Sequence, residues 1–191
     1  MDIAIIAIAI WAVTLAAAAI SDFRAFRISN IYPAIIIALF VVLHAVAGFS
    51  SALLPNALHF LLALAIGMLL FGRGWIGGGD AKLYAAVALW FDWNGAVALV
   101  FLTTFSGLLL AIAFVVVRMS GISRNRHSNA KPKSKMERRI PYGVAIALGA
   151  VLTAAWVGWK TVFPAIMAPK LHSNRNAPNI TSTARYVSIE I

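Results

Sequence analysis

Long apolar stretches alternate with short polar stretches along most of this chain. Residues 3–20 (IAIIAIAIWAVTLAAAAI) carry no charge, and residues 28–72 contain no Asp, Glu, Lys or Arg. A helix needs about 20 mostly apolar residues to cross the hydrocarbon core of a bilayer. The second stretch is too long for one span and suits two, because GFSSALLPN (48–56) supplies turn residues between them.

The same pattern predicts three further segments, of which the first is short and ends at the polar turn of residues 92–95. We therefore expect an all-α, polytopic membrane protein with six transmembrane segments, the fourth of them short. Residues 1–160 are predicted to form a membrane-embedded domain, and residues 161–191 a poorly ordered polar tail. The predicted segments cover residues 3–20, 31–49, 56–72, 83–91, 95–117 and 140–159.

The first segment has an alternative interpretation as a secretory signal peptide, because Ala16–Ala19 mimic a small-residue cleavage site. A signal peptide begins with a basic region, whereas this chain begins with Met1 and Asp2. We therefore favour a retained transmembrane helix.

Composition agrees with a membrane protein. The chain is 62% hydrophobic and 12% charged, against about 25% charged residues in soluble domains. There are no cysteines and no His/Asp cluster at metal-ligand spacing, so we predict no disulfide, metal or cofactor. The tryptophans lie mostly near span ends, which predicts interfacial anchors at Trp11, Trp75, Trp90, Trp93, Trp156 and Trp159.

The net charge of +10 is distributed unevenly between the loops. The odd-numbered loops contain most of the basic residues, which by the positive-inside rule places these loops in the cytoplasm and both termini outside. Loops facing anionic lipid explain the charge better than a nucleic-acid partner does. Four basic residues of the tail count mildly against this orientation. The loop residues are Arg24, Arg27, Arg73, Lys82, Arg118, Arg124, Arg126, Lys131, Lys133, Lys135, Arg138 and Arg139.

This topology sorts the six acidic residues by side and depth. Asp22 is expected just past the cytoplasmic end of the first span, and Asp80 at the cytoplasmic start of the fourth. The two carboxylates therefore share one membrane depth on one side. The other four acids are expected in outer, tail or loop positions: Asp2, Asp92, Glu137 and Glu190.

An ordinary explanation exists for each of the two aspartates. Asp22 is close enough in sequence to pair with Arg24 or Arg27, and Asp80 is placed to cap a helix that begins at Ala81.

Three consecutive glycines before Asp80 favour a functional explanation instead. Gly77, Gly78 and Gly79 permit unusual backbone conformations and the close approach of another chain. Non-helical backbone at membrane depth persists only where it is buried in protein or lines a wet cavity. The pattern therefore favours a peptide-binding site beside Asp80.

Two neighbouring carboxyl groups can supply both the general acid and the general base of a reaction. They cannot both ionise easily, so they share a proton. One then acts as general base on a water molecule, and the protonated one polarises the carbonyl group of the substrate. This chemistry hydrolyses a peptide bond without a metal ion.

Three stretches of the chain carry a family resemblance. SDFRAFRISN (21–30), GGGDAKL (77–83) and RRIPYGVAIALG (138–149) resemble, in order and spacing, the motif regions of the type IV prepilin peptidases. The match is best to the short, peptidase-only branch that serves Flp/Tad-type pili. The second stretch matches the G-x-G-D motif of that family at Gly77, Gly79 and Asp80.

The resemblance implies a bacterial cytoplasmic-membrane aspartic endopeptidase whose active site lies at the cytoplasmic face and whose catalytic residues are Asp22 and Asp80. Its substrate would be a prepilin or pseudopilin, cut between a short basic leader and a long apolar helix. Membrane lipid and pilus assembly proteins are the other expected partners. Motif or substrate-binding roles are implied for Gly77, Gly78, Gly79, Lys82, Arg27, Asn30, Pro141, Tyr142 and Gly143. Pro141 also suits the first turn of a helix, which is a structural role.

The chain departs from the family at two points. Many relatives have Pro-Asn where this chain has Ser29-Asn30. Bifunctional relatives also carry a cytoplasmic domain that N-methylates the new pilin terminus. The ten residues between the first two predicted spans leave no room for that domain, so we predict no methyltransferase activity.

Other functions remain open from the residues alone. A small proton- or cation-coupled transporter would use the same aspartates as ligands, but its outer half would offer only His44, His59 and a few hydroxyls. A presenilin-like intramembrane protease shares the G-x-G-D motif, although its first aspartate follows a tyrosine and Ser21 precedes Asp22 here. A structural or assembly protein would need neither aspartate.

Overall fold

A computed structural model describes residues 3–47, 53–119 and 141–158 of the chain. Every regular element in these ranges is a helix, which confirms the predicted all-α class and the short fourth segment. The helices are α1 (Ile3–Ala25), α2 (Ile31–Ala47), α3 (Leu53–Gly72), α4 (Gly78–Ala88), α5 (Trp93–Met119) and α6 (Tyr142–Val157). The predicted C-terminal tail and the basic loop after α5 lie outside the described residues.

Three of these helices are long and apolar enough to cross a membrane, namely α1, α3 and α5. The helices α2 and α6 are apolar but shorter, with 17 and 16 residues. The 11 residues of α4 extend over about 16 Å at about 1.5 Å per residue. That length is about half of the hydrocarbon core.

The first helix ends later than predicted. The expected span stopped at residue 20, whereas α1 continues to Ala25 and contains Asp22. Nothing between residues 21 and 25 breaks a helix, and Arg24 in the last turn complements the helix dipole. The helix ends where Phe26 adopts a positive φ of 50°, which is uncommon for a residue with a side chain. Asp22 is therefore held by helical backbone and does not follow the helix.

The fourth helix begins earlier than the apolar pattern indicated. Gly78 and Gly79 are helical, Gly77 is the N-cap with extended backbone, and Asp80 is the third helical residue. The suggestion that Asp80 caps a helix beginning at Ala81 is therefore wrong. A carboxylate in the first turn is still favourable, because it lies near the positive end of the helix dipole.

The short helix α4 lies at the centre of the bundle. It packs mainly on α3, and it also contacts α2 and α6, while α5 packs mainly on α6. Its buried face is rich in small residues, and a Cβ added to Gly67 of α3 would lie 3.0 Å from the Cβ of Ala81. Small residues at such contacts let helices approach closely without large side chains between them.

Aromatic side chains pack together beyond the carboxyl end of α4. Trp90 is two residues past that end, and its ring lies 6.2 Å from that of Trp11 and 5.5 Å from that of Phe40, measured between centroids. Phe40 in turn stacks on His44 at 4.0 Å. Trp11 and Trp90 are 0% and 1% exposed, so the prediction of interfacial anchors is wrong for these two residues. They face the junction of α1, α2 and α4 and not the membrane surface.

Candidate active site

Asp22 and Asp80 line the same cavity, which has a volume of about 470 Å³. Its walls are the last turn of α1, the connection between α1 and α2, and the first turn of α4 together with Gly77. The two carboxylates predicted to share a depth are thus brought together by helices that are distant in the sequence.

Asp22 is almost completely buried, with 5% of its surface exposed. Its Oδ2 accepts a hydrogen bond of 2.6 Å from the backbone N–H of Gly143, in the first turn of α6. A Cβ at Gly143 would lie 3.0 Å from this same oxygen and 2.8 Å from Cδ1 of Ile28. Glycine at position 143 therefore lets α6 approach the carboxylate without displacing Ile28.

Asp80 is partly buried and has one oxygen in need of a partner. The backbone N–H of Gly77 lies close to its carboxylate and partly offsets the effect of burial on the pKa of Asp80. Its Oδ1 is buried and has no hydrogen-bond partner among the described residues. Burial, followed by the nearby charge of Asp22, raises the pKa of Asp80 to about 6. A carboxyl group with this pKa exchanges its proton readily near neutral pH.

The glycines before Asp80 serve close packing and not unusual backbone conformations. None of the three has a positive φ. A Cβ at Gly79 would lie 3.0 Å from the Cβ of Ile28, and one at Gly78 would lie 3.1 Å from the ring of Phe71. A Cβ at Gly77 would meet the carboxylate of Asp80. The expected non-helical glycine segment is therefore not observed, although all three glycines do line the cavity.

Ile28 links the two glycine contacts, and the sequence analysis did not single it out. Its side chain packs on Gly79 at the start of α4 and on Gly143 at the start of α6. Asp80 belongs to α4, and Asp22 of α1 accepts its hydrogen bond from Gly143 of α6, so Ile28 contacts both helix starts that position the carboxylates. The only signal in the sequence was a pair of glycines in two separate motifs, which indicates a bulky neighbour without identifying it.

The connection that carries Ile28 is held at both ends. The hydroxyl of Ser21 donates a hydrogen bond of 3.0 Å to the carbonyl oxygen of Arg27. Nζ of Lys82 donates one of 3.2 Å to Oδ1 of Asn30. The structure therefore brings three of the predicted motif residues to this connection, at the rim of the cavity.

The remaining predicted residues lie at the start of α6. Pro141 is the N-cap of that helix, as the sequence indicated. Tyr142 lines a second cavity on the far side of Asp80. No group of three or more His, Asp or Glu side chains suited to a metal ion occurs in the described ranges.

A comparison of the sequence with known protein families identifies the family of this chain. The model of the type IV leader peptidase family matches residues 8–112, which is more than half of the 191-residue chain. The chain belongs to the type IV leader peptidase family. Comparisons with curated proteins and with solved structures found no match.

Membership in the type IV leader peptidase family identifies the chain as a protease, and its three apolar helices agree with a membrane protein. The matched region contains both Asp22 and Asp80, whereas the Gly143 that hydrogen-bonds to Asp22 lies beyond it. The leader peptidase therefore completes its candidate site with a helix outside the matched residues.

Proposed function

We propose that this chain is a membrane-embedded aspartic endopeptidase that removes the short leader of prepilin-like precursors. The observation that supports this function best is the shared cavity, in which Asp22 and Asp80 are the carboxylates among the lining residues. Family membership supports a protease of the leader-peptidase type over a transporter or a presenilin-like protease.

The surroundings of the two carboxylates suggest their roles. Burial disfavours the charged form of both carboxyl groups. The N–H of Gly143 partly offsets this at Asp22, whereas the nearby charge of Asp22 adds to it at Asp80. Asp22 then acts as general base on a water molecule, and Asp80 donates its proton to the carbonyl oxygen of the scissile bond. Attack of the water gives a tetrahedral gem-diol. As its C–N bond breaks, the proton taken up by Asp22 passes to the departing amine, and one hydroxyl of the gem-diol returns a proton to Asp80 as the new carboxyl group forms.

The proposed site lies at the cytoplasmic face of the bacterial inner membrane. The carboxylates occur at the end of α1 and the start of α4, on the side to which the basic loops Arg24–Arg27 and Arg73–Lys82 also belong. The positive-inside rule assigns that side to the cytoplasm, with six segments and both termini outside. A prepilin or pseudopilin enters from this side, and pilus assembly proteins of the Flp type are its proposed neighbours.

The proposed activity is peptidase activity alone. The described structure has α1 ending at Ala25 and α2 beginning at Ile31. Five residues between these helices cannot accommodate a methyltransferase domain. The new amino terminus of the product should therefore be free when this chain acts without other enzymes, which N-terminal sequencing of the purified product tests.

Leader removal in membranes tests the proposed catalytic pair. The chain is expressed with a candidate prepilin, and the shortened product is followed on a gel. Asp22→Asn and Asp80→Asn should each abolish cleavage. Asp92→Asn is the matched control, because Asp92 caps α5 through the N–H of Gly95 and asparagine preserves that cap. Intact processing by either of the first two variants would refute the pair.

A further inference from the structure

A second cavity, of about 900 Å³, lies between α3 and α5 with α4 as its floor. We call it the lateral groove. It exists because α3 packs mainly on α4 and α5 mainly on α6, which leaves these two long helices with little contact to each other. Its lining is predominantly apolar and includes Leu62, Ile66, Leu70, Val97, Val100 and Phe101.

Asp80 connects the lateral groove to the catalytic cavity, because it lines both. The catalytic cavity contains Ser21, Asp22 and the backbone of the α1–α2 connection, whereas the lateral groove offers aliphatic and aromatic side chains. A chain crossing Asp80 would thus pass from a polar environment directly into an apolar one.

The groove also contains polar groups that lipid cannot satisfy. The hydroxyl oxygen of Tyr84 is buried and has no hydrogen-bond partner among the described residues. Tyr84 is four residues beyond Asp80 on α4, so both side chains lie on one face of the helix. Leaving a buried donor unpaired is unfavourable. Because the hydroxyl is buried, an occupant of the groove reaches it only when the Tyr84 ring turns toward the groove. An acyl chain then offers no acceptor, whereas a peptide offers its backbone carbonyl groups.

We infer that the lateral groove binds the first turns of the apolar helix that follows the scissile bond, and that Tyr84 donates a hydrogen bond to the backbone of this helix. The inference rests on the proposed leader peptidase function. The groove extends from Asp80 to His59 and Trp93, along residues 59–70 of α3 and residues 93–104 of α5. A substrate helix parallel to α3 therefore contacts it over about 12 residues, since both rise about 1.5 Å per residue.

Disulfide cross-linking tests the occupant of the groove, because the chain contains no cysteine of its own. Leu62 lines the groove, whereas Leu61 does not line it and lies at the same depth on the same helix. The two leucines are 47% and 56% exposed, so they form a matched pair. Each is changed to cysteine in an Asp22→Asn background, where asparagine keeps an oxygen to accept the Gly143 hydrogen bond. The substrate is a prepilin with single cysteines at successive positions after the cleavage site.

We expect the Leu62→Cys chain to cross-link to the prepilin at least about fivefold more than the Leu61→Cys chain. The reactive prepilin positions should recur every three to four residues, as on one face of a helix. Equal cross-linking by both variants would show a groove filled by lipid and would overturn the inference. Leader removal that depends on Asp22 and Asp80 would still support the proposed function in that case, so the two failures are distinguishable.

Tyr84→Phe tests the hydrogen bond separately. Loss of one neutral hydrogen bond should lower kcat/KM for the prepilin by about 2- to 10-fold, through KM. The thermal stability of the unliganded protein should stay the same or rise, because the variant removes an unpaired buried hydroxyl. Tyr32→Phe is the control, since Tyr32 lines neither cavity. An unchanged kcat/KM would overturn the role assigned to Tyr84.

Discussion

The two ends of α4 are built in opposite ways. Beyond its carboxyl end, the rings of Trp11, Trp90 and Phe40 are buried against one another. At its amino end, glycines line the catalytic cavity, and Asp80, whose Oδ1 has no hydrogen-bond partner in the part of the chain that the structure describes, lines both cavities. The difference indicates that the aromatic end stabilises the bundle, while the glycine end leaves room for a substrate at some cost in stability.

The largest expected effect is on catalysis at the glycine end. Asp80→Asn should reduce the rate of leader removal by at least about 100-fold, because one half of the acid–base pair is lost. The melting temperature should not fall, since asparagine retains the shape of the side chain and carries no buried charge. Quantified cleavage on gels and thermal unfolding in detergent measure the two effects. If Asp80→Asn abolished both activity and folding, the amino end of α4 would be as important for stability as the aromatic end, and the proposed difference between them would be wrong.

The opposite change at the aromatic end should act on stability. Trp90→Ala should destabilise the protein by about 3–5 kcal/mol, as expected for a large buried ring. The folded fraction should still cleave its substrate. Trp75→Ala is the control, because Trp75 is exposed and its loss should be nearly neutral. Denaturant titration of all three proteins checks the prediction, which fails if the two tryptophan variants are equally stable.

The glycines around Ile28 provide an intermediate test. Gly143→Ala and Gly79→Ala should each cost about 1–3 kcal/mol, because the new methyl group would overpack against Ile28. Ile28→Ala should recover part of the loss caused by Gly143→Ala, because it removes the Cδ1 that the new methyl group would meet. It should recover none of the loss caused by Gly79→Ala, because alanine keeps the Cβ and the carbonyl oxygen that are met there. Double-mutant cycles on unfolding free energies measure the coupling.

A glycine elsewhere in the bundle serves as the control for this cycle. A Cβ at Gly72 would meet no atom within 4 Å. Gly72→Ala should therefore be neutral or slightly stabilising, and it should show no coupling to Ile28→Ala. If all three glycine variants behave alike, Ile28 is not the cause of the destabilisation.

The ionisation of Asp80 should make stability depend on pH. The pKa of this group is raised in the folded protein to about 6, from an ordinary value of 3.8. Above pH 6 the ionised carboxylate disfavours folding, and protonation between pH 6 and pH 4 relieves this penalty. Asp80→Asn should therefore raise the melting temperature at pH 8 and have progressively less effect toward pH 4. A difference that is constant across this range would contradict the prediction.

The smallest effect is expected at the exposed rim of the catalytic cavity. Lys82→Met removes the hydrogen bond to Asn30. Because both groups are exposed, stability should fall by less than about 1 kcal/mol. Cleavage should slow by no more than a few-fold, and Asn30→Ala should add little to the effect of Lys82→Met. Initial rates for the two single variants and the double variant check this pair.

The sequence pattern predicted the helices and the common location of Asp22 and Asp80, because hydrophobic runs and the sides on which charges occur are local properties. It failed at the junctions. The polar residues 21–25 did not reveal that α1 continues through Asp22, and Gly78 and Gly79 concealed the true start of α4. At both places the packing of helices outweighs the local helix propensity, since α6 contacts the last turn of α1 and Ile28 packs on the first turn of α4.

Burial was the other property that sequence alone did not determine. Trp11 and Trp90 have positions in the chain that suit a membrane interface, yet other helices cover them completely. Ile28 and Tyr84 were missed for a related reason. An apolar or aromatic residue in an apolar chain does not show which neighbour it will face, and only the packing of α1, α4 and α6 decides this.

Asp80 lies between the polar catalytic cavity and the apolar lateral groove, and this position bears on which peptide bond of a precursor would be cleaved. Residues on the polar side of the bond prefer water, and residues on the other side prefer hydrocarbon. A precursor would slide until its own polarity boundary coincides with the carboxylate. The start of the apolar helix would then determine which bond is cleaved, and little recognition of a particular sequence would be needed.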